Sequence, residues 1–240
     1  MKVKGAGATD RGKKRPLNED YYFFDESLGL FIVADGMGGH LGGQEASRMA
    51  VEEVVNQFSS VKEIPHPPVK FIKEVFYSAN KKVWERGNSD PSLKGMGTTL
   101  TMLFIKGESI WIGHVGDSRA YLYSENKLNL LTSDHSWLEE QIKAGMISDE
   151  RTRRFMKNVI TRSVGFKKEV EVDVYRYEIK AGDLFLLCTD GLNIVLTDEE
   201  IKKEIESTDI EELPKKLIDI TNSKGGPDNI TVVIGKVLEI

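Results

Sequence analysis

The chain of 240 residues is 40% hydrophobic and 30% charged, with 22 glycines, 7 prolines and a net charge of −5. That is enough chain to bury a sizeable core, and the acidic balance argues against broad nucleic-acid binding, which needs basic surface to neutralise phosphates. One cysteine, Cys188, excludes an intramolecular disulfide, and no apolar run approaches the roughly 18 residues of a membrane span. With no signal-peptide pattern at its start, the sequence is expected to form a single domain over 1–240, cytoplasmic, monomeric and off the membrane.

Along the chain, "RGKKRP" (11–16) is basic enough for nucleic acid or a targeting receptor, yet runs this short are usually solvated surface. Strand-like runs follow in "YYFF" (21–24) and "FIVA" (31–34), the second leading into Asp35, Gly36 and a glycine cluster. In "GGQEASRMAVEEVVNQF" (42–58), Ala46, Met49, Ala50, Val54 and Phe58 share one helical face. After a loop over 61–70, Val69, Ile72, Phe76, Ala79 and Val83 repeat the pattern until Gly87 stops it. From Thr98 the period becomes that of strands, with tight turns at Lys106–Ser109 and Ser124–Lys127 that imply antiparallel pairing. "SWLE" (136–139) has the form of a capping box, and the polar stretch 136–165 reads as a protruding flap. Strands return in 170–179 and 183–188, two helices led by Thr197…Glu200 and Asp209…Glu212 follow, and "KGGPD" (224–228) turns into a last strand. Grouped antiparallel strands with helix pairs between them point to an α+β fold, two packed sheets with helices outside.

Five aspartates sit at the edges of the apolar runs: Asp20, Asp35, Asp117, Asp190 and Asp228. One Asp-Gly is usually only a turn. Five such residues at strand ends can converge at one mouth, where they would repel one another unless a hard divalent cation, which prefers oxygen ligands, relieved the repulsion. Gly36 and Gly191 would let backbone approach such an ion. The histidines His40, His66, His114 and His135 are scattered and offer no zinc spacing. Arg15, five residues before Asp20, could stand beside the carboxylates and grip a phosphate with its planar fork. Together these features suggest phosphate-ester hydrolysis, with metal ions holding and deprotonating a water that attacks phosphorus in line. The glycine-rich "GMGGHLGG" has no Gly-Lys-Ser/Thr ending, and no G-x-S-x-G elbow is present, so nucleotide cradling and serine nucleophilic chemistry are weaker readings.

The segments "RPLNED" (15–20), "FIVADGMGG" (31–39), "GMGTTL" (95–100), "GHVGDSRAYL" (113–122), "TSDHS" (132–136), "NVITRSVG" (158–165), "LLCTDGL" (186–192) and "GPDNITVV" (226–233) resemble, in order and from end to end, the metal-dependent type 2C protein serine/threonine phosphatases of bacteria. The resemblance implies a central antiparallel β-sandwich flanked by pairs of helices in α-β-β-α layers, with a flap near 136–165. It implies that Asp35 bridges two Mn²⁺ or Mg²⁺ ions, that the Gly36 carbonyl binds the second, and that Asp190 and Asp228 complete the first. Asp20 would act near the second ion, with Glu19 sharing that role, while Asp117 and Asp190 would hold a third, weaker ion and Arg15 the substrate phosphate. Phosphorylated proteins would be the substrates, in opposition to a serine/threonine kinase. One departure is Met37, standing where eukaryotic members place a histidine as general acid; His40 and His135 are the nearby candidates. A phospho-recognition module without turnover and a small-metabolite phosphatase are the competing expectations.

Overall fold

The computed structural model describes residues 2–38, 41–146 and 159–240. Two antiparallel sheets face each other. The first has the order β1 (Lys2–Asp10), β11 (Ile230–Glu239), β10 (Leu184–Cys188), β7 (Arg119–Ser124), β8 (Lys127–Leu130). The second runs β2 (Asp20–Asp25), β3 (Leu30–Met37), β5 (Leu100–Lys106), β6 (Ser109–Val115), β9 (Asp173–Glu178), with the two-residue β4 (Gly97–Thr98) paired to the end of β3. Alternation of side chains lets each sheet bury both faces. Phe31, Val33, Leu103, Ile112, Phe185, Leu187 and Val233 fill the space between the sheets. Phe31 meets Phe185 edge-on at 4.6 Å, and truncating it to alanine should cost about 3–5 kcal/mol.

The outer layers are the expected helix pairs. On one side α1 (Leu41–Ser60) and α2 (Val69–Ser89) lay Ala46, Ala50, Val54, Phe58, Ile72, Phe76, Ala79 and Val83 onto the second sheet. On the other, α5 (Asp198–Ser207) and α6 (Leu213–Ser223) pack Ile201, Leu213 and Leu217 on the first sheet, reached through the single-turn α4 (Asp190–Asn193). The Thr197–Glu200 capping box forms as expected. The Asp209–Glu212 box does not: Glu212 and Leu213 donate their N–H groups to the Asp209 carbonyl in a turn, and α6 starts at Leu213 with Pro214 in its first turn, where a missing N–H costs nothing. Ser136 caps α3 (Trp137–Lys143) by accepting from Glu139 N at 3.3 Å. Of the flap expected over 136–165, residues 147–158 lie outside the described residues, as do Gly39 and His40.

Two features of the topology shape the cleft. β6 and β7 are consecutive yet belong to different sheets, so Gly116–Ser118 crosses the sandwich instead of closing a hairpin. β1 was not expected as a strand, because Gly5 and Gly7 weaken its β propensity. Its glycines are required by packing: a Cβ at Gly5 would lie 2.8 Å from the Phe24 ring and one at Gly7 2.7 Å from the Tyr22 ring. Among the described residues no helix is long and apolar enough to cross a membrane.

Candidate active site

The strand register brings the five aspartates to one end of the sandwich. Asp20 opens β2 and pairs across from Asp35 near the end of β3. Asp117 lies in the crossing between sheets, Asp190 begins α4 just beyond β10, and Asp228 precedes β11. Since β10 and β11 are antiparallel neighbours, with Cys188 opposite Val232, the end of one lies beside the start of the other.

Backbone contacts lock these residues in place. Asp35 N donates to Thr99 Oγ1 at 2.8 Å, and the Asp35 carbonyl accepts from Thr99 N at 2.8 Å and Thr98 Oγ1 at 2.9 Å. Gly36 is pressed against the first turn of α1: a Cβ there would sit 2.1 Å from the Gly43 carbonyl oxygen. At Gly191 a Cβ would lie 1.9 Å from the Asn229 carbonyl oxygen, so the segments carrying Asp190 and Asp228 touch directly. Asn229 in turn ties down the loop before β2, donating from Nδ2 to the carbonyls of Arg11 and Leu17 and accepting at Oδ1 from Glu19 N at 2.8 Å. That loop delivers Arg15, whose Nη2 donates to Asp228 Oδ2 at 2.7 Å.

Crowding shifts the carboxyls upward. Burial, then the charges of Asp20, Asp190, Asp117 and Asp228, hold Asp35 well above the usual carboxylate range. Burial raises Asp20 to about 7 against the Thr231 and Thr189 hydroxyls, which donate to its Oδ2 at 2.6 and 2.8 Å. Asp117 is pushed to about 7 by burial and Asp190. Asp190 rises to about 6 through burial and Asp228, although a hydrogen bond with Asp35 and the charge of Arg15 oppose the shift. Carboxyls this close cannot all ionise cheaply, and the upward shifts reflect that mutual repulsion.

A divalent cation suits this donor set. Asp20 Oδ1, Asp117 Oδ1 and Asp190 Oδ1 are buried without a hydrogen-bond partner, a state that costs about 1–3 kcal/mol per group unless something else satisfies it. The carboxylates nevertheless do not stand as a closed ligand set: among the described residues no three His, Cys, Asp or Glu side chains form a group ready to hold an ion. Arg15 engages Asp228, and two threonines engage Asp20. Beside Asp117 and Asp190 opens a recess of about 190 Å³, also lined by Arg119, Asp134 and Ser136. Arg119 holds Asp134 through both Nε and Nη2.

His135 is not poised as a general acid. Its Nδ1 accepts from Gly116 N at 3.1 Å, so Nε2 carries the proton and donates to Asp173 Oδ2 at 3.1 Å. His114 is likewise engaged, by Thr101 Oγ1 at 2.9 Å and the Ser133 carbonyl at 3.2 Å. Met37 ends β3 opposite Gly97. Sequence reasoning missed Thr189, Thr231 and Asn229, although Thr189 and Asn229 adjoin Asp190 and Asp228 in the chain. That adjacency was the available signal.

An α-β-β-α sandwich with an acidic cleft and an arginine at its mouth defines a phosphoester-hydrolase architecture. The model of the family described as protein phosphatase 2C matches residues 6–226. The serine/threonine phosphatase stp of Listeria welshimeri is 37% identical over 237 residues, covering 94% of this chain and 92% of that protein. Among solved structures, the Streptococcus agalactiae serine/threonine phosphatase superposes with a TM-score of 0.91 at 34% identity, over 98% of this chain and 99% of that one. The catalytic domain of the serine/threonine protein phosphatase PstP, solved in complex with two manganese ions, gives a TM-score of 0.88 at 30% identity over 99% of both chains. The chain belongs to the protein phosphatase 2C family and is a protein serine/threonine phosphatase of that type.

Proposed function

We propose that the chain removes phosphate from phosphoserine and phosphothreonine on proteins in a reaction dependent on Mn²⁺ or Mg²⁺, opposing a serine/threonine kinase. The observation that carries the metal assignment is the set of three buried, partnerless oxygens on Asp20, Asp117 and Asp190 within one cleft. Asp35, the Gly36 carbonyl, Asp190 and Asp228 would hold two ions, with Asp20 alongside and Asp117 with Asp190 at a third. Bound there, the ions supply Lewis acidity that activates water and offsets charge on the phosphoryl oxygens.

The chain's own groups do the rest. Arg15, half-exposed and anchored on Asp228, can turn its remaining donors to the phosphoryl oxygens and place phosphorus over the carboxylates. Thr189 and Thr231 fix one oxygen of Asp20 and leave the other without a hydrogen-bond partner. With both ring nitrogens of His114 and of His135 engaged, neither supplies the leaving alkoxide's proton. The serine/threonine phosphatases this chain resembles support a phosphorylated protein side chain over a metabolite as substrate. The deciding experiment is hydrolysis of an aryl phosphate and of phosphothreonine peptides, with Mn²⁺ or with chelator, by wild type and Asp35→Asn. Turnover that needs metal and vanishes in the variant supports the proposal; turnover surviving either change sinks it. Faster turnover of metabolite phosphates than of peptides would replace the substrate class.

A further inference from the structure

The basic run 11–15 has no place in the phosphoryl chemistry except through Arg15. Arg11, Lys13, Lys14 and Arg15 put four cations in five positions of a chain whose net charge is −5, and all four are exposed. Elsewhere lysines pair with nearby acids, as Lys4 does with Glu211, Lys180 with Glu125 and Lys224 with Glu200. Lys13 and Lys14 make no ion pair among the described residues. Asp10, the carboxylate that feels Lys13 and Arg11, uses its Oδ1 to accept from Gly12 N at 2.8 Å and Asn222 Nδ2 at 3.0 Å.

This loop is rigidly mounted on the active site. Gly12 has φ +76°, and a Cβ there would lie 2.0 Å from the Asp228 carbonyl oxygen. Lys13 N donates to the Gly226 carbonyl at 2.8 Å, and Asn229 Nδ2 holds the Arg11 and Leu17 carbonyls at 2.9 and 2.8 Å. The loop therefore lies directly on the turn that carries Asp228, and binding through it requires little ordering of backbone.

We propose that Lys13 and Lys14, with Arg11, form the surface that selects substrates by acidic residues flanking the phosphorylated one; this deepens the phosphatase reading and rests on it. With a phosphoryl group at Arg15, an extended substrate advances about 3.3–3.6 Å per residue, so side chains two to four positions away pass over the neighbouring lysines. Selection is one-sided because the exposed Arg11, Lys13 and Lys14 precede Arg15 in one loop: acids on the flank that passes over that loop are favoured.

The test compares kcat/KM for phosphothreonine peptides carrying three Glu on one flank, three Glu on the other, or Gln throughout, with wild type, Lys13→Glu/Lys14→Glu and Lys13→Gln/Lys14→Gln. Wild type should prefer one Glu-flanked peptide by about threefold to tenfold at low salt, since exposed pairs are individually weak, and the preference should shrink as salt rises. Charge reversal should invert it, neutralisation should abolish it, and aryl phosphate hydrolysis should stay unchanged in both variants. Equal rates on Glu and Gln peptides in wild type, or the same preference in the reversed variant, would overturn the proposal. So would loss of binding to single-stranded RNA in the reversed variant with peptide selectivity intact, which would make the loop a nucleic-acid surface. Anisotropy of a labelled Glu-flanked phosphopeptide reads the loop without turnover. A difference there in the absence of any hydrolysis would reject the phosphatase reading and keep the loop; no difference would reject the loop.

Discussion

Two buried clusters of ionisable side chains lie side by side in this fold. At the cleft, Asp20, Asp35, Asp117 and Asp190 crowd together, and three of their oxygens have no hydrogen-bond partner. Behind it, His114, His135 and Asp173 are satisfied: both ring nitrogens of each histidine are engaged, and Asp173 accepts from His135, Tyr175 and Arg162. The two are linked through hydroxyls, Thr99 to Ser118 at 2.8 Å and Thr101 to the Ser118 carbonyl at 3.3 Å. The closed cluster holds Gly116 and the start of the segment after residue 158; the crowded one keeps oxygens free of partners. Burial alone does not mark function; what sets the cleft apart is that several unsatisfied carboxylate oxygens gather there.

The strongest way to break this contrast is Asp35→Asn. Activity should fall by about a thousandfold or more, while stability in chelator holds or rises because a crowded acid has been removed. Activity and melting temperature falling together would return Asp35 to the structural cluster. The pH dependence separates the clusters next. Burial and then the neighbouring His135 lower His114 to about 3, so between about 6.5 and 3 the unfolded chain binds the extra proton and stability falls with decreasing pH, by up to about 1.4 kcal/mol per unit. The raised carboxyls act oppositely. From about 4 to 7 the folded state binds more protons, so in chelator they make stability fall as pH rises. Thermal melts should show Mn²⁺ stabilising more at pH 8 than at pH 5, because protons compete for the same oxygens. A metal shift independent of pH would contradict the assignment.

Smaller effects sharpen the comparison further. His135→Ala should cost about 2–3 kcal/mol in urea unfolding, by leaving the Gly116 N–H and Asp173 short of partners, with kcat of the folded fraction reduced only severalfold. Arg15→Lys should cost about tenfold in kcat/KM, as a point charge replaces the fork, with stability close to wild type. If Arg15→Lys were the more destabilising of the two, Arg15 would belong to the scaffold.

Much of the fold and site was legible in the sequence. The apolar stripes of α1 and α2 needed only helical period, and each aspartate was marked by its place at the edge of a strand-like run. Local chemistry decides such things, because a helix face or a strand end is set within a few residues. The strand β1 escaped because its glycines answer to Phe24 and Tyr22, which are distant in sequence. The Asp209 cap failed because Pro214 offered α6 a start without it.

What only the tertiary structure decided is who meets whom. The crossing at Gly116–Ser118 sends β6 and β7 to different sheets, and the antiparallel β10–β11 register sets Asp190 against Asp228. Thr189 and Thr231, 42 residues apart, converge on one oxygen of Asp20. The sequence by itself determined which residues could bear charge at strand ends. Their proximity, their mutual repulsion, and the split between a satisfied and an unsatisfied cluster depend on distances between segments, and those are fixed only when the two sheets pack.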